Sequence, residues 1–318
     1  MEGKSIKCIV TGGAGFIGSH LVDQLLSDGN EVVAVDNLIT GSKKNIAHLN
    51  SNSHFTFLEH DVSQPLPQDI TAKMILHFAS PASPPKYQKY PVETLLVNTV
   101  GTYHLLERAR RDGAVFIFAS TSEVYGDQLE HPQKETYWGR VNPNGERSCY
   151  DEGKRAGEAY TFTYLRKYDL DCRIVRIFNT YGPRMDIDDG RVVTNFIKQV
   201  INEKALTIYG DGNQTRSFCY ISDLVEGIIR LINNPAAKGG VINLGNPQEM
   251  TVLELAEAVK QITGYSGHLI HEKLPTDDPI QRKPDISRAG ELLHWTTTVS
   301  LEEGLRQTFA YFKNLDRQ

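Results

Sequence analysis

The stretch Ile6-Lys7-Cys8-Ile9-Val10-Thr11-Gly12-Gly13-Ala14-Gly15-Phe16-Ile17-Gly18-Ser19-His20 decides how this chain folds. An apolar run leads into a glycine-dense turn, and an amphipathic pattern (Leu21, Leu25, Leu26) follows. Gly13, Gly15 and Gly18 satisfy G-x-G-x-x-G, and Gly12, Gly15 and Gly18 give a second, overlapping register. Glycines let a strand-to-helix turn pass close to a pyrophosphate, whose charge then rests on the helix N-terminus. Glycine turns are common, so the pattern needs context. Glu31–Asp36 supplies it, reading as a second strand that ends in an acid about 20 residues past the glycines, placed to hold a ribose 2′-hydroxyl. An acid at that point favours NAD over NADP, because it would repel a 2′-phosphate.

Strand-like and helical patterns alternate outward from this unit. Strands are expected at 6–11, 32–36, 55–59, 74–79, 115–119 and 173–178, with helices at 19–27, 92–111 and 151–168. Such alternation predicts an α/β fold with a doubly wound parallel sheet and ligands at the carboxyl ends of its strands. Polar residues gather there: Asp61 and Val62 follow the third strand, Ser80 the fourth, Ser120–Glu123 the fifth and Asn179 the sixth. Beyond Tyr181-Gly182-Pro183 the alternation loosens. Helices are expected at 191–202, 222–233, 251–263, 286–293 and 301–314, with short strands at 206–209, 216–220 and 241–244. The expected organisation is an NAD-binding domain over 1–182 with a return segment at about 216–245. Residues 183–215 and 246–318 would form a smaller C-terminal substrate-binding lobe, with a cleft between the two for the second ligand.

The bulk properties narrow the possible functions. A chain of 318 residues, 40% of them apolar, can bury a sizeable core. Net charge −5 and a pI of 6.1 leave no electrostatic footprint for nucleic acid. No apolar run is long enough to span a bilayer, and no signal peptide is evident. Cys8, Cys149, Cys172 and Cys219 are scattered without metal-ligand spacing, so free thiols, no metal and a cytoplasmic, reducing location are expected.

Tyr150 and Lys154 form a Tyr-x-x-x-Lys pair, and spacing of four puts both on one helix face. A free phenol, with a pKa of about 10, is too weakly acidic to act as a base near neutrality. An ammonium and a positive nicotinamide beside it would stabilise the phenolate and lower that value.

Together, the Thr11–Gly18 turn, Tyr150/Lys154, Ser120-Thr121-Ser122-Glu123-Val124-Tyr125-Gly126 and Arg176–Pro183 resemble the extended short-chain dehydrogenases that act on nucleotide sugars. The resemblance covers nearly the whole chain. Within that family the strings Ala79–Pro84, His131-Pro132-Gln133, Tyr137-Trp138-Gly139, Arg147–Arg155 and Asp189–Val193 are most similar to the decarboxylases of UDP-glucuronate.

This resemblance implies a redox-neutral cycle on tightly held NAD. Tyr150 would take the C4 hydroxyl proton while C4 is oxidised, the 4-keto uronate would lose CO2, and C4 would be reduced again to give UDP-xylose. Lys154 would tune Tyr150 and hold the nicotinamide ribose, and Thr121 would hydrogen-bond the C4 oxygen. The implied NAD contacts are Gly12, Gly15, Phe16, Ile17, Gly18, Asp36, Asn37, Thr40, Asp61, Val62, Ala79, Ser80 and Asn98, with Tyr150 and Lys154. Asn179, Arg191, Tyr209 and Arg216 match positions around the substrate nucleotide. Arg282, in Asp278–Asp285, matches an arginine beside the diphosphate or the carboxylate, the plainer alternative being a surface arginine. A homodimer pairing helices 92–111 and 150–168 is also implied.

Glu123 separates the chemistries. Similar 4,6-dehydratases carry an Asp-Glu pair where this chain has Ser122-Glu123, and 4-epimerases carry small residues there. A lone carboxylate suits a substrate that is itself anionic. Glu123 would then distort the sugar or place the water that protonates C5, unless it is merely a solvated loop acid. One position departs from the decarboxylase pattern: Leu96 stands where a lysine is usual, so if that lysine holds the sugar or its carboxylate, either another cation substitutes or the substrate preference has shifted. The alternatives are a 4-epimerase or 4,6-dehydratase, an enzyme that also makes UDP-apiose, or a silent NAD-sensing binding module.

Overall fold

Five short β-branched and aromatic runs, buried on both faces, account for the centre of the molecule: a strand flanked by helices on both sides has no solvent face and needs no polar alternation. The computed structural model describes residues 5–127, 129–274 and 281–315. In chain order its first half runs β1 (Lys7–Thr11), α1 (Phe16–Ser27), β2 (Glu31–Asp36), β3 (Phe55–Glu59), β4 (Met74–His77), α2 (Pro84–Lys89), α3 (Pro91–Leu96), α4 (Thr102–Asp112), β5 (Val115–Thr121), α5 (Ser148–Tyr168) and β6 (Cys172–Ile177). The second half continues with β7 (Thr180–Tyr181), α6 (Val192–Ile201), β8 (Leu206–Tyr209), β9 (Thr215–Ser217), β10 (Cys219–Tyr220), α7 (Ile221–Asn233) and β11 (Val241–Leu244). It ends with β12 (Glu249–Thr251), α8 (Val252–Thr263), β13 (Leu269–Glu272), α9 (Ser287–Leu293) and α10 (Leu301–Leu315).

Among the described residues a seven-stranded parallel sheet forms in the order β11-β6-β5-β4-β1-β2-β3. Strand order reverses between β1 and β4, and the crevice that opens there lies beyond the carboxyl ends of the strands. One apolar cluster fills the α1/α7 side of the sheet and continues into the C-terminal elements, and a second fills the α4/α5 side.

Besides short elements that the sequence did not announce (α2, β7, β12 and β13), two expected elements are divided. The helix expected over 92–111 is interrupted by a π-helical turn at Val97–Gly101. Buried Asn98, Gly101 and Thr102 sit at this turn, where a Cβ on Gly101 would meet the Val62 oxygen at 3.3 Å. The strand expected over 216–220 is two strands. Its first part pairs antiparallel with β12 and its second pairs parallel with β7, so Phe218 marks a change of sheet that apolar patterning does not reveal.

Candidate active site

The glycine turn is built for a close approach. Gly12 adopts φ +71°, and a Cβ there would lie 2.7 Å from the Phe78 carbonyl carbon and oxygen; a Cβ on Gly18 would lie 2.0 Å from the Gly12 oxygen. Gly15 caps α1 without a side-chain hydrogen bond, and no acid occupies the first turn. The first amide groups of α1 therefore face the crevice with the positive end of the helix dipole. Asp36, at the end of β2, is buried and accepts from the Ala14 and Leu38 amides at 3.1 and 2.8 Å. Burial raises its pKa against those two hydrogen bonds. Each carboxylate oxygen keeps lone-pair capacity for a ribose hydroxyl. A cradle that any Cβ would fill, an open helix N-terminus and a fixed acid on the second strand fit NAD.

One cavity of about 1610 Å³ joins this cradle to the C-terminal elements. Every candidate residue named from the sequence lines it except Asn98. Asn98 is wholly buried behind the wall, where its amide donates to Ser80 Oγ at 2.9 Å and the Thr94 carbonyl at 2.8 Å. There it holds the Ser80 hydroxyl at the edge of the cavity.

Tyr150 lies in the first turn of α5 and Lys154 one turn later, both buried. Lys154 Nζ donates to the Ala119 carbonyl at 2.8 Å and lies 5.8 Å from the Tyr150 ring centre. The nearby Thr121 hydroxyl favours the ionised form of the Tyr150 phenol. With the chain's own groups alone, burial prevails and pushes Tyr150 up to about 12, and burial pushes Lys154 down to about 7. Any lowering of Tyr150 has to come from a positive charge bound beside it.

Glu123 is not a solvated loop acid, and Arg282 is not a surface arginine. Glu123 sits in the 3-10 turn Ser122–Tyr125 that ends β5, where its amide caps on Thr121 Oγ1 at 3.2 Å. Arg147 Nη2 donates to Glu123 Oε2 at 2.6 Å and Arg282 Nη2 donates to the same oxygen at 3.2 Å. Arg282 is 2% exposed and also donates to the Gly126 carbonyl at 2.8 Å. Burial alone would raise the Glu123 carboxyl, but the two guanidinium groups outweigh it and hold it well below the usual carboxylate range. Asp278–Ile280, part of the string that pointed to Arg282, lie outside the described residues.

Toward the C-terminal elements, Arg191 precedes α6 and is paired with Asp189. Arg216 lies on β9, and Tyr209 is half-exposed at the end of β8. Asn179 follows β6, its carbonyl accepting from the Cys219 amide at 2.9 Å. These groups give the outer cavity two guanidinium side chains and an aromatic face, donors suited to a diphosphate and a base. Leu96 lines the cavity with no charge to offer.

Three lining residues were not singled out from the sequence. Arg147 grips Glu123. Tyr87, buried on α2, stacks on Tyr150, and its hydroxyl is buried without a hydrogen-bond partner. Lys86 pairs with Asp186 at 2.7 Å across the cavity mouth. The Lys86-Tyr87 pair follows Ser80–Pro85 directly, and the proline-rich run read as loop, which hid the short helix that aims Tyr87 inward. Among the described residues, no group of three metal-ligating side chains converges.

The NAD dependent epimerase/dehydratase family model matches residues 8–245. The chain is 53% identical over 311 residues to UDP-glucuronic acid decarboxylase 1 of Arabidopsis thaliana, covering 98% of this chain and 71% of the relative. It is 50% identical over 313 residues to UDP-glucuronic acid decarboxylase 1 of Xenopus tropicalis, covering 98% and 73%. Among solved structures, the UDP-glucuronic acid 4-epimerase from Bacillus cereus in complex with UDP-glucuronic acid and NAD superposes with a TM-score of 0.88. It is 33% identical, over 97% of this chain and 99% of that one. The glycine cradle, the Tyr150–Lys154 pair and this similarity along nearly the whole length agree: the chain belongs to the NAD dependent epimerase/dehydratase family, on the branch of its UDP-glucuronic acid decarboxylase relatives.

Proposed function

We propose that this chain is an NAD-dependent carboxy-lyase that converts UDP-glucuronate to UDP-xylose and CO2. The observation that carries this reading is the Glu123 carboxylate held by Arg147 and Arg282 in the same cavity as Tyr150. Gly12, Gly15, Gly18, Asp36 and Lys154 would hold NAD, which would supply a reversible acceptor for the hydrogen and electron pair of sugar C4 and a positive charge.

Tyr150 removes the C4 hydroxyl proton as C4 is oxidised, and Thr121 donates to the C4 oxygen. The ketone so formed is β to the C6 carboxylate. The C5–C6 bond breaks, CO2 departs, and the electron pair left at C5 spreads onto the C4 oxygen, where Thr121 and the protonated Tyr150 stabilise it. C5 then takes up one proton, and Tyr150 returns its own proton to the C4 oxygen as C4 is reduced. The arginines act on the anionic end of the sugar: guanidinium groups stabilise a carboxylate through paired hydrogen bonds. A single carboxylate at 122–123 leaves no acid–base pair for removing water across C5 and C6.

Incubation with UDP-glucuronate, UDP-glucose and dTDP-glucose, followed by mass spectrometry, tests this reading. UDP-xylose from UDP-glucuronate alone is expected, and a 4,6-dehydrated product would overturn it. The B. cereus similarity favours one second reading, epimerisation of the same substrate at C4, which would yield UDP-galacturonate.

The active unit in this reading is a homodimer. Val92 (64% exposed), Leu95, Val100, Tyr103 and Tyr160 form an apolar surface over the two helical stretches expected to pair across a two-fold axis. Sedimentation should give twice the chain mass, and Tyr160→Glu should shift it to one. Buried Cys8, Cys172 and Cys219 thiols suit the reducing conditions of the cytoplasm.

A further inference from the structure

The segment between β7 and α6, residues 182–191, crosses the cavity mouth as a strap, and Met185, Asp186 and Ile187 line the cavity from it. Its first half is tied to the cofactor side of the molecule. The Pro183 carbonyl accepts from the His20 ring at 3.0 Å, and the Arg184 carbonyl accepts from the Asn45 amide at 3.4 Å. The Arg184 guanidinium pairs with Asp23 of α1 at 2.7 Å, and Met185 is buried. On the opposite side the strap reaches α2, the helix whose Tyr87 stacks on Tyr150. There Lys86 Nζ pairs with Asp186 at 2.7 Å. The strap backbone also passes so close to α2 that a Cβ on Gly190 would lie 2.6 Å from Pro85 Cγ.

The two attachments differ in strength. Three polar contacts and a buried side chain root the strap on the α1 side. On the α2 side the polar tie is an ion pair whose side chains are 28% and 39% exposed. A pair that open to water is weak enough to break and reform in every turnover. A strap with a firm root and a weak far edge opens at that edge. The cycle proposed above has a step that needs such a closure. Once CO2 has left, the sugar nucleotide no longer carries its carboxylate, while the hydrogen and electron pair from C4 have not yet been returned. If the nucleotide departs at that stage, it leaves as the 4-ketone and NAD stays reduced. We propose that Lys86 is a positioning residue of this reaction: paired with Asp186, it latches the strap over the cavity and retains the UDP-4-keto-pentose until C4 is reduced. Lys86 directly precedes Tyr87, so the latch also ties the strap to the helix that packs the Tyr150 ring.

The latch rests on the UDP-glucuronate reading, and two measurements separate them. Turnover of UDP-glucuronate by the NAD-loaded protein is followed for CO2, for both nucleotide products by mass spectrometry, and for reduced NAD by absorbance. Wild type should give CO2 and UDP-xylose in near-equal amounts. In Lys86→Met the share of turnovers ending in free 4-keto nucleotide, each with one NAD left reduced, should rise roughly threefold, the scale of one partly exposed ion pair. Dissociation of UDP-xylose from the NAD-loaded protein, followed by stopped-flow fluorescence, needs no turnover, and its rate constant should rise by a similar factor. The charge-exchanged variant Lys86→Asp/Asp186→Lys should return both values toward wild type, which a merely structural role for either side chain does not predict. An unchanged dissociation rate in Lys86→Met, or a loss that the exchanged pair does not repair, would overturn the latch. If wild type released no CO2, the functional reading would fall and the dissociation rate would decide the latch alone.

Discussion

The Tyr87 ring lies flat on the Tyr150 ring, with centroids 5.1 Å apart and planes 6° from parallel. Tyr150 therefore has a packed face and a reactive edge: Tyr87 fixes the plane of the phenol, and Thr121 lies near its hydroxyl. Lys154 lies over the same ring from within α5. Stacking of this kind adds about 0.5–1.5 kcal/mol beyond area burial. Its larger consequence is angular, because a proton acceptor that can swing loses its alignment with the C4 hydroxyl.

Tyr87→Ala is accordingly expected to lower kcat by at least about tenfold and stability by about 3 kcal/mol, since it removes both the stacked ring and a buried side chain. Tyr87→Phe keeps the ring and should retain most of the stability. Steady-state kinetics and thermal unfolding of both variants check this. Equal stability losses in the two would mean that the hydroxyl, not the stack, matters.

Removing either partner from the Glu123 cluster should cost stability and activity together. Glu123→Gln leaves two buried guanidinium groups without their shared carboxylate and should cost about 3 kcal/mol near neutral pH, with at least about a tenfold loss of kcat from the disturbed site. Arg282→Ala removes a guanidinium buried against Glu123 and should cost about 3 kcal/mol of stability in addition to activity. Circular dichroism melting curves alongside kcat measure both losses. Wild-type kinetics in Arg282→Ala would exclude Arg282 from the site.

The same cluster sets a pH dependence of stability. Glu123 has a folded-state pKa depressed below its ordinary value of 4.5 by Arg282 and Arg147, against the effect of burial. Its contribution is present above the unfolded pKa and is lost as pH falls through the lower folded value. Tm should therefore fall below about pH 4.5 more steeply in wild type than in Glu123→Gln, the carboxylate of which is gone. Superimposable Tm–pH curves would contradict the pairing.

Gly18→Ala probes the cofactor cradle, because its Cβ would fall 2.0 Å from the Gly12 oxygen and force α1 away from the turn. NAD affinity should drop at least about tenfold, since pyrophosphate binding depends on amide groups at the start of α1. Calorimetric titration with NAD measures it, and undiminished affinity would place the pyrophosphate elsewhere.

The glycine turn, Asp36 and the alternating patterns made the sheet legible because each rests on local chemistry: backbone reach, charge and side-chain period. Tyr150 and Lys154 were legible as a pair through helical spacing. Glu123 and Arg282 were named from a resemblance, but their contact joins residues 159 apart in sequence, which no local pattern encodes. Arg147 and Tyr87 were missed for the same reason. Each acts through a tertiary contact, and Tyr87 sits on a six-residue helix hidden in a proline-rich run. Asn98, named from the resemblance, sits in the π-helical turn and donates to Ser80, a tertiary contact that the sequence does not encode.

The central claim is that CO2 leaves C5 while C4 is transiently a ketone, and that C5 then takes a proton from solvent. Turnover of UDP-glucuronate in D2O, followed by NMR and mass spectrometry of the sugar nucleotide, tests it most directly. The account predicts UDP-xylose bearing one deuterium at C5, CO2 in equal amount, and no net reduction of NAD. UDP-galacturonate with its carboxylate retained would contradict it.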